Sequence, residues 1–221
     1  MAVAFDNSTA SEFNNSLRSS HTFSHTCTGS DLVLLVGVGS FNSTGGTKVS
    51  GITYGGVSMN LVGTLEIQEN TYIDLYKLVG PSTGANNVVI SYSTSQSFGW
   101  NTATSYTGAG DPDVVKVEKA LSSASPTTIS LTTLTDNSWL AMYAFCNNTN
   151  VGPSTGTTER SDATRAAAMD SNGAKTPAGS YSLSYTHPAT AATGAIMVAI
   201  PPAAGGGGGT PYRAKQNFPR L

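Results

Sequence analysis

The run of residues 32–38 is the feature that most limits how this chain can fold. It reads Leu-Val-Leu-Leu-Val-Gly-Val and follows a Gly-Ser-Asp turn. A short, continuous apolar run that begins after a turn is typical of a strand covered on both faces. Residues 22–27 just before it alternate polar with larger side chains, which is the period of a half-buried strand. Together the two segments predict sheets that pack face to face.

Similar runs recur along the chain, separated by short turns rich in Gly, Asn and Ser. Gly55 and Gly56 are expected to form a tight hairpin turn. Only residues 158–169 have a helix-forming composition, and their Gly-rich flanks predict a loop with one helical turn. The remaining predicted strands are residues 48–54, 57–62, 71–79, 87–93, 101–106, 127–131, 138–146, 179–185 and 195–200.

The composition agrees with an all-β fold. Charged residues make up 11% of the chain, against a usual share of about 25%. Ser, Thr, Asn and Gly take their place, which suits strands with Thr-rich outer faces and turns of Gly, Asn and Ser. A chain of 221 residues can form one large β domain. We therefore predict a single, jelly-roll-like β-sandwich of about ten strands over residues 1–202.

The chain changes character after Ile200. Two prolines stop the last strand, and residues 203–209 form a Gly-rich linker that is expected to be flexible. Residues 210–221 carry a charge of +3, which leaves −5 for the rest of a chain whose net charge is −2. We predict that this basic-aromatic peptide anchors the protein to a partner, and an unstructured tail is the other interpretation. The predicted contacts are Tyr212, Arg213, Lys215, Phe218 and Arg220.

Cysteines and histidines offer little chemistry. Cys27 and Cys146 each lie in an apolar strand pattern without metal-ligand spacing, so we expect two buried thiols. A pair in contact across the sandwich is the alternative. His21 and His25 share a strand face with Cys27, but no third metal ligand is apparent. His187 lies in a predicted turn and is expected to face the solvent.

No pattern indicates catalysis. We expect no nucleophile elbow of the Gly-x-Ser-x-Gly kind, and buried cysteines are poor nucleophiles. The acidic residues do not mark a cleft of the kind that glycoside hydrolysis needs. The prediction is a protein that is not an enzyme and has neither cofactor nor metal. Trp100, which follows a polar segment, is the aromatic residue expected to be exposed and to contact a glycan.

The N-terminus lacks the basic stretch and apolar core of a secretory signal, and the longest apolar run is too short to span a bilayer. We therefore expect the protein to be made in a cytoplasm. The net charge of −2 and the pI of about 5.8 argue against nucleic acid as a partner.

Several stretches also resemble a known group of proteins. They are residues 21–38, 49–63, 73–84, 87–93 and 106–112. They resemble β-sandwich modules of bacterial and tailed-phage proteins, especially virion structural proteins such as head decoration proteins and fibres. The resemblance covers residues 3–200 and consists of turns and core strands, so it implies a β-sandwich and carries over no site residue.

The resemblance and the tail together suggest a role. We expect a non-enzymatic bacteriophage virion protein, a capsid decoration or head accessory subunit made in the host cytoplasm. Its partners would be the major capsid protein or neighbouring copies of itself, with no nucleic acid or membrane, and it would be homo-oligomeric or bound to a lattice. The alternative is a carbohydrate-binding or adhesive module of a tail fibre or cell-surface protein, with Trp100 as a contact.

Overall fold

The computed structural model describes residues 1–41, 49–121, 125–189 and 191–204, with the backbone alone for 117–121. Within these ranges the chain forms seventeen β-strands and no helix, so none that could span a membrane. The all-β prediction is therefore confirmed. The predicted anchoring peptide, with Tyr212, Arg213, Lys215, Phe218 and Arg220, lies outside the described residues, and its role stays a prediction.

The first half of the chain forms two sheets whose neighbouring strands are all antiparallel. The inner N sheet has the order β1-β9-β3-β7-β6, and the outer N sheet has the order β2-β8-β4-β5. Their strands are β1 (Ala4–Phe13), β2 (Arg18–Cys27), β3 (Val33–Phe41), β4 (Val49–Tyr54), β5 (Val57–Ser58), β6 (Asn60–Gln68), β7 (Thr71–Val79), β8 (Gly84–Gln96) and β9 (Phe98–Thr107).

The second half also forms two antiparallel sheets. The inner C sheet has the order β10-β17-β12-β15-β14, and the outer C sheet has the order β11-β16-β13. Their strands are β10 (Val114–Leu121), β11 (Thr127–Thr132), β12 (Trp139–Cys146), β13 (Gly152–Pro153), β14 (Thr158–Ala163), β15 (Ala166–Asp170), β16 (Ser180–Thr186) and β17 (Ala192–Ile200).

The two halves have the same strand order. Replacing β1, β9, β3, β7 and β6 by β10, β17, β12, β15 and β14 converts one inner sheet into the other. The same correspondence converts β2, β8 and β4 into β11, β16 and β13. Among the strands that the structure describes, β5 is the one without a counterpart. The expected sandwich is thus present twice, with more strands than the ten or so predicted, because several short or weakly patterned strands gave no clear sequence signal.

The four sheets stack in the order outer N, inner N, inner C and outer C. Buried apolar side chains fill each of the three spaces between them. Across the central space β1 lies against β14 and β10 against β6, while β9 lies against β15 and β17 against β7. Each of these contacts therefore recurs between the equivalent strands of the other half, as it does across the twofold axis of a homodimer.

Two glycines allow the inner sheets to approach closely. Gly37 and Gly39 on β3 face Tyr143 and Phe145 on β12, the middle strand of the inner C sheet. A Cβ atom at Gly37 would lie 2.2 Å from the Tyr143 ring, and one at Gly39 would lie 2.6 Å from the Phe145 ring. The Tyr143 hydroxyl also donates to the carbonyl of Trp100 at 2.5 Å. The rings fill the space above the glycines and join the two halves.

Several predictions for single elements are confirmed. β3 is buried up to Ser40 and lies between β7 and β9, as expected of a covered central strand. Gly55 and Gly56 connect β4 to β5 with positive φ angles of 55° and 83°, a conformation that glycine adopts without strain. His21 and His25 are buried on the same face of β2 as Cys27.

Two local predictions are wrong. Residues 158–169 form no helical turn but the hairpin of β14 and β15. Ala168 pairs with Tyr143 in the sheet, and every residue of β15 is buried, so packing overrides the helix propensity of alanine. His187 is only 6% exposed. Its Nδ1 donates to the carbonyl of Pro188 at 2.9 Å, and its Nε2 accepts from the Thr127 hydroxyl at 2.7 Å.

Candidate functional site

A cleft of about 270 Å³ opens where strands of both inner sheets end. The end of β3, the β6–β7 turn and the start of β9 form its N-terminal side. The end of β12 and the β14–β15 turn form its C-terminal side. Its lining residues are Phe41, Gln68, Thr71, Phe98, Trp100, Phe145, Asn147, Asn148 and Arg165.

The wall of the cleft is aromatic. Phe98 and Trp100 lie two residues apart on β9, so their side chains point to the same face of the sheet. Their rings are parallel within 4°, with centroids 5.8 Å apart. The ring centroid of Phe145 lies 5.3 Å from that of Trp100, and the ring centroid of Phe41 lies 6.2 Å from that of Phe98. The four rings form a continuous apolar surface drawn from both halves of the chain.

The prediction that Trp100 is exposed is wrong. Trp100 is only 3% exposed, because Phe98, Phe145 and Arg165 all pack on its ring. Phe41 is 38% exposed and Phe98 is half-buried, so these two rings supply most of the accessible apolar surface. Trp100 lines the cleft but mainly supports its neighbours, and its contact with a glycan stays a prediction.

Arg165 is the only charged residue among those that line the cleft. It lies in the turn between β14 and β15, with its guanidinium carbon 4.8 Å from the centre of the Trp100 ring. This distance is typical of a cation–π contact. Its Nη1 donates to the carbonyl of Asn147 at 2.5 Å. Arg165 forms no ion pair with any residue that the structure describes.

The amide of Asn147 is partly unsatisfied. Its Nδ2 donates to Oε1 of Gln68 across the two halves. Its Oδ1 is buried and has no hydrogen-bond partner among the described residues. A buried acceptor without a donor costs free energy. This oxygen is shielded from solvent, so a hydroxyl in the cleft reaches it only when the Asn147 side chain turns toward the cleft. The cleft therefore combines an aromatic wall, one cation and one acceptor that needs a donor.

The structure also brings together a serine, a histidine and an aspartate that the sequence analysis did not single out. The Ser105 hydroxyl donates to Oδ2 of Asp6 at 2.6 Å. Nε2 of His25 donates to Oγ of Ser105 at 3.1 Å, and Nδ1 accepts from the Thr9 hydroxyl at 3.0 Å. In a catalytic triad the serine donates to histidine and the histidine donates to aspartate. The order here is different.

Burial fits a structural role for this network. Burial lowers the pKa of His25 to about 4, and the nearby carboxylate of Asp6 only partly opposes this. His25 is therefore neutral at pH 7. Both Ser105 and His25 are almost completely buried, so a substrate could not reach the hydroxyl. The network ties β1, β2 and β9 together across the two N sheets.

The expectation about Gly-x-Ser-x-Gly motifs needs a correction. The segment Gly-Pro-Ser-Thr-Gly occurs twice, at residues 80–84 and 152–156. A nucleophile elbow places its serine on a turn from a strand into a helix. Ser82 instead lies between β7 and β8, where its Oγ accepts from Asn86. Ser154 follows β13, and no helix occurs in the described ranges. Neither segment has the geometry of an elbow.

Both cysteines are buried free thiols, as predicted. Cys27 lies in the core between the two N sheets and Cys146 in the core between the two C sheets, so the alternative of a contact between them is wrong. Burial raises the pKa of the Cys27 thiol, which keeps it protonated. In the part of the chain that the structure describes, no group of three or more His, Cys, Asp or Glu residues could hold a metal ion.

No family model, curated protein or solved structure matches this chain.

Proposed function

We propose that this chain is a non-enzymatic structural subunit of a bacteriophage virion, a capsid decoration or head accessory protein. The observation that carries the proposal is the stacking of two sandwiches with one strand order through their inner sheets. Gly37 and Gly39 receive Tyr143 and Phe145, so the halves share a core. A shared, closely packed core makes a stiff body, as a subunit of a particle surface requires.

We further infer that the first half is a jelly roll and that the second half is a version of it that lacks a counterpart of β5 among the described strands. In the first half β1, β3, β7 and β9 lie in the inner sheet, while β2, β4, β5 and β8 lie in the outer sheet. The first and last strands, β1 and β9, are neighbours. This alternation fits the two Greek keys of a jelly roll, with β6 as an added edge strand. Jelly rolls occur in viral capsid proteins and in lectins, so the topology supports a virion subunit and a glycan-binding module alike.

The anchoring element in this proposal is the C-terminal peptide, residues 210–221. Short peptides bind assemblies by strand addition or by docking in grooves. Three cations and no acid suit an acidic partner surface, and many copies on a lattice would make a weak anchor effective. The partner would be the major capsid protein or a neighbouring copy of the chain. The proposed contacts remain Tyr212, Arg213, Lys215, Phe218 and Arg220.

Removal of residues 205–221 tests the anchoring role. The truncated protein should keep its melting temperature, because every described strand ends before Ala204, but should no longer co-sediment with phage particles. A full-length variant with Tyr212→Ala and Phe218→Ala should lose most of the same binding. Full occupancy of the truncated protein on particles would contradict the proposal.

A carbohydrate-binding or adhesive module is the second candidate, and the aromatic cleft is the observation that favours it. Sugars bind aromatic rings through their apolar faces and polar side chains through their hydroxyls. A glycan array should give signals that Phe98→Ala removes. Leu134→Ala, which truncates an exposed apolar side chain outside the cleft, should leave them unchanged. Equal signals from both variants would contradict this function.

A further inference from the structure

We propose that the cleft binds the acidic unit of a saccharide, with Arg165 pairing to its carboxylate. This inference rests on the second proposed function and names the class of ligand. It follows from a comparison of two arginines, from the unsatisfied amide of Asn147 and from the size of the cleft.

Arg160 and Arg165 lie on the same β14–β15 hairpin, and each guanidinium packs on an aromatic ring. Arg160 lies 4.2 Å from the centre of the Phe5 ring, and its Nε donates to the buried carboxylate of Asp170 at 2.7 Å. Arg165 packs on Trp100 in the same way, but no described residue gives it a carboxylate. Partly buried arginines are normally paired, so a ligand carboxylate would complete the arrangement that Arg160 already has.

The unpaired oxygen of the Asn147 amide further limits the class of ligand that fits the cleft. This Oδ1 needs a donor, and a simple carboxylate such as acetate has none. A neutral sugar has donors but no anion for Arg165. A sugar acid supplies both, since its carboxylate accepts from the guanidinium and its hydroxyls donate. The exposed side chains of Gln68 and Asn148 can reach further hydroxyls from the rim.

The apolar wall and the volume of the cleft fit one sugar ring. Phe98 and Phe41 offer accessible ring surface beside Arg165. The volume of about 270 Å³ lies below the range of about 300–1,000 Å³ for drug-sized ligands, which favours a single ring. Glu69 is the acid closest in sequence to Gln68. It lies on the β6–β7 turn, is exposed and does not line the cleft, so its charge is screened by solvent.

The test is a titration of the full-length, ¹⁵N-labelled protein, followed by NMR shifts of the cleft residues. The probes are glucuronate, N-acetylneuraminate, glucose and acetate. We expect at least one of the two sugar acids to bind more tightly than glucose or acetate. Arg165→Gln should weaken that binding about tenfold or more, since a charged hydrogen bond is lost. Arg165→Lys keeps the charge and should lose less.

Lys175→Gln is the matched control, because it removes one cation at the other end of β12. The backbone of Lys175 pairs with that of Ser138 just before β12, whereas the Arg165 side chain donates to the carbonyl of Asn147 just after β12. The control should bind like the wild type, and all variants should keep the wild-type dispersion of amide signals.

Four outcomes would overturn the proposal. They are equal binding of glucose, equal binding of acetate, no binding of either acid, and unchanged binding after Arg165→Gln. The glycan array with Phe98→Ala distinguishes failure of the acidic-ligand proposal from failure of the adhesive function. Neutral glycan signals that depend on Phe98 but not on Arg165 would keep the adhesive function and reject the acidic ligand. A wild-type protein that gives no glycan signal on the array would reject both.

Discussion

The two halves of the molecule share one strand order but differ in the hydrogen-bond partners that they give to a buried aspartate. Asp74 lies on β7 and Asp170 on the equivalent strand β15, and both are fully buried. Asp170 accepts hydrogen bonds from Arg160 at 2.7 Å and from the Tyr106 hydroxyl at 3.1 Å. Asp74 accepts from Thr64 at 2.5 Å, and its second oxygen has no partner among the described residues.

The same contrast extends to the surrounding interior. Of the six buried side-chain oxygens without a partner in the described ranges, five lie in the first half. They belong to Ser40, Asp74, Tyr92, Gln96 and Asn101, and the sixth is the cleft oxygen of Asn147. The core of the second half is rich in alanine. Backbone hydrogen bonds define the sheet order, so one topology tolerates interiors of very different polarity.

The largest effect is expected where a buried charge has its partner. Asp170→Asn would leave the guanidinium of Arg160 without its carboxylate in a water-poor environment. Breaking a buried ion pair in this way costs about 3–5 kcal/mol of folding free energy. Urea unfolding at pH 8 measures this loss. An Asp170→Asn protein as stable as the wild type would mean that the pair contributes nothing to the folding free energy.

The next effect should come from the glycines that receive the rings of the second half. Gly37→Val would place side-chain atoms inside the Tyr143 ring, and overpacking of this kind costs about 3 kcal/mol. Gly51→Val is the matched control, because a Cβ there meets no atom within 4 Å.

Thermal melting of the two variants distinguishes them. The Gly51 variant should melt near the wild type and the Gly37 variant well below it. Adding Tyr143→Ala to Gly37→Val should recover part of the loss, because it removes the clashing ring. A Gly37→Val protein with a wild-type melting temperature would show that the inner sheets do not need this close approach.

The smallest effect should have the opposite sign from that of Asp170→Asn. Burial raises the pKa of Asp74 to about 6 from 3.8, so the folded state binds its proton more tightly than the unfolded state. The contribution of Asp74 is therefore most favourable below pH 4 and falls as the pH rises through 6, by up to about 3 kcal/mol. Asp74→Asn should stabilise the protein at pH 8 and change little at pH 4.

The lowered pKa of His25 makes the stability of Asp74→Asn at acidic pH a further test. Because the pKa of His25 is lowered to about 4 from 6.5, its contribution to stability is lost as the pH falls from 6.5 through 4. Asp74 opposes this loss in the wild type. Asp74→Asn should therefore lose stability more steeply than the wild type over this range in urea titrations. Parallel pH profiles of the two proteins would contradict the assignment of the buried groups.

Much of the fold could be predicted from the sequence, and little of the cleft could be. The alternation in β2, the unbroken apolar run of β3 and the Gly55–Gly56 turn are local patterns, so their structures were correctly predicted. Residues 158–169 were not, because their alanines are needed beside Tyr143 in a buried strand. The spacing of Phe98 and Trp100 predicts a shared face. It does not predict that Arg165 and Phe145, from the other half, cover Trp100.

The sequence by itself determined that the chain is all-β, because strand periodicity and turn residues act through neighbours along the chain. Only the tertiary structure decided that the sandwich occurs twice, that the copies pack through their inner sheets, and where a cleft opens between them. Those features depend on contacts between residues far apart in the chain. Pairs such as Gly37 with Tyr143, or Tyr106 with Asp170, form only after the sheets are stacked.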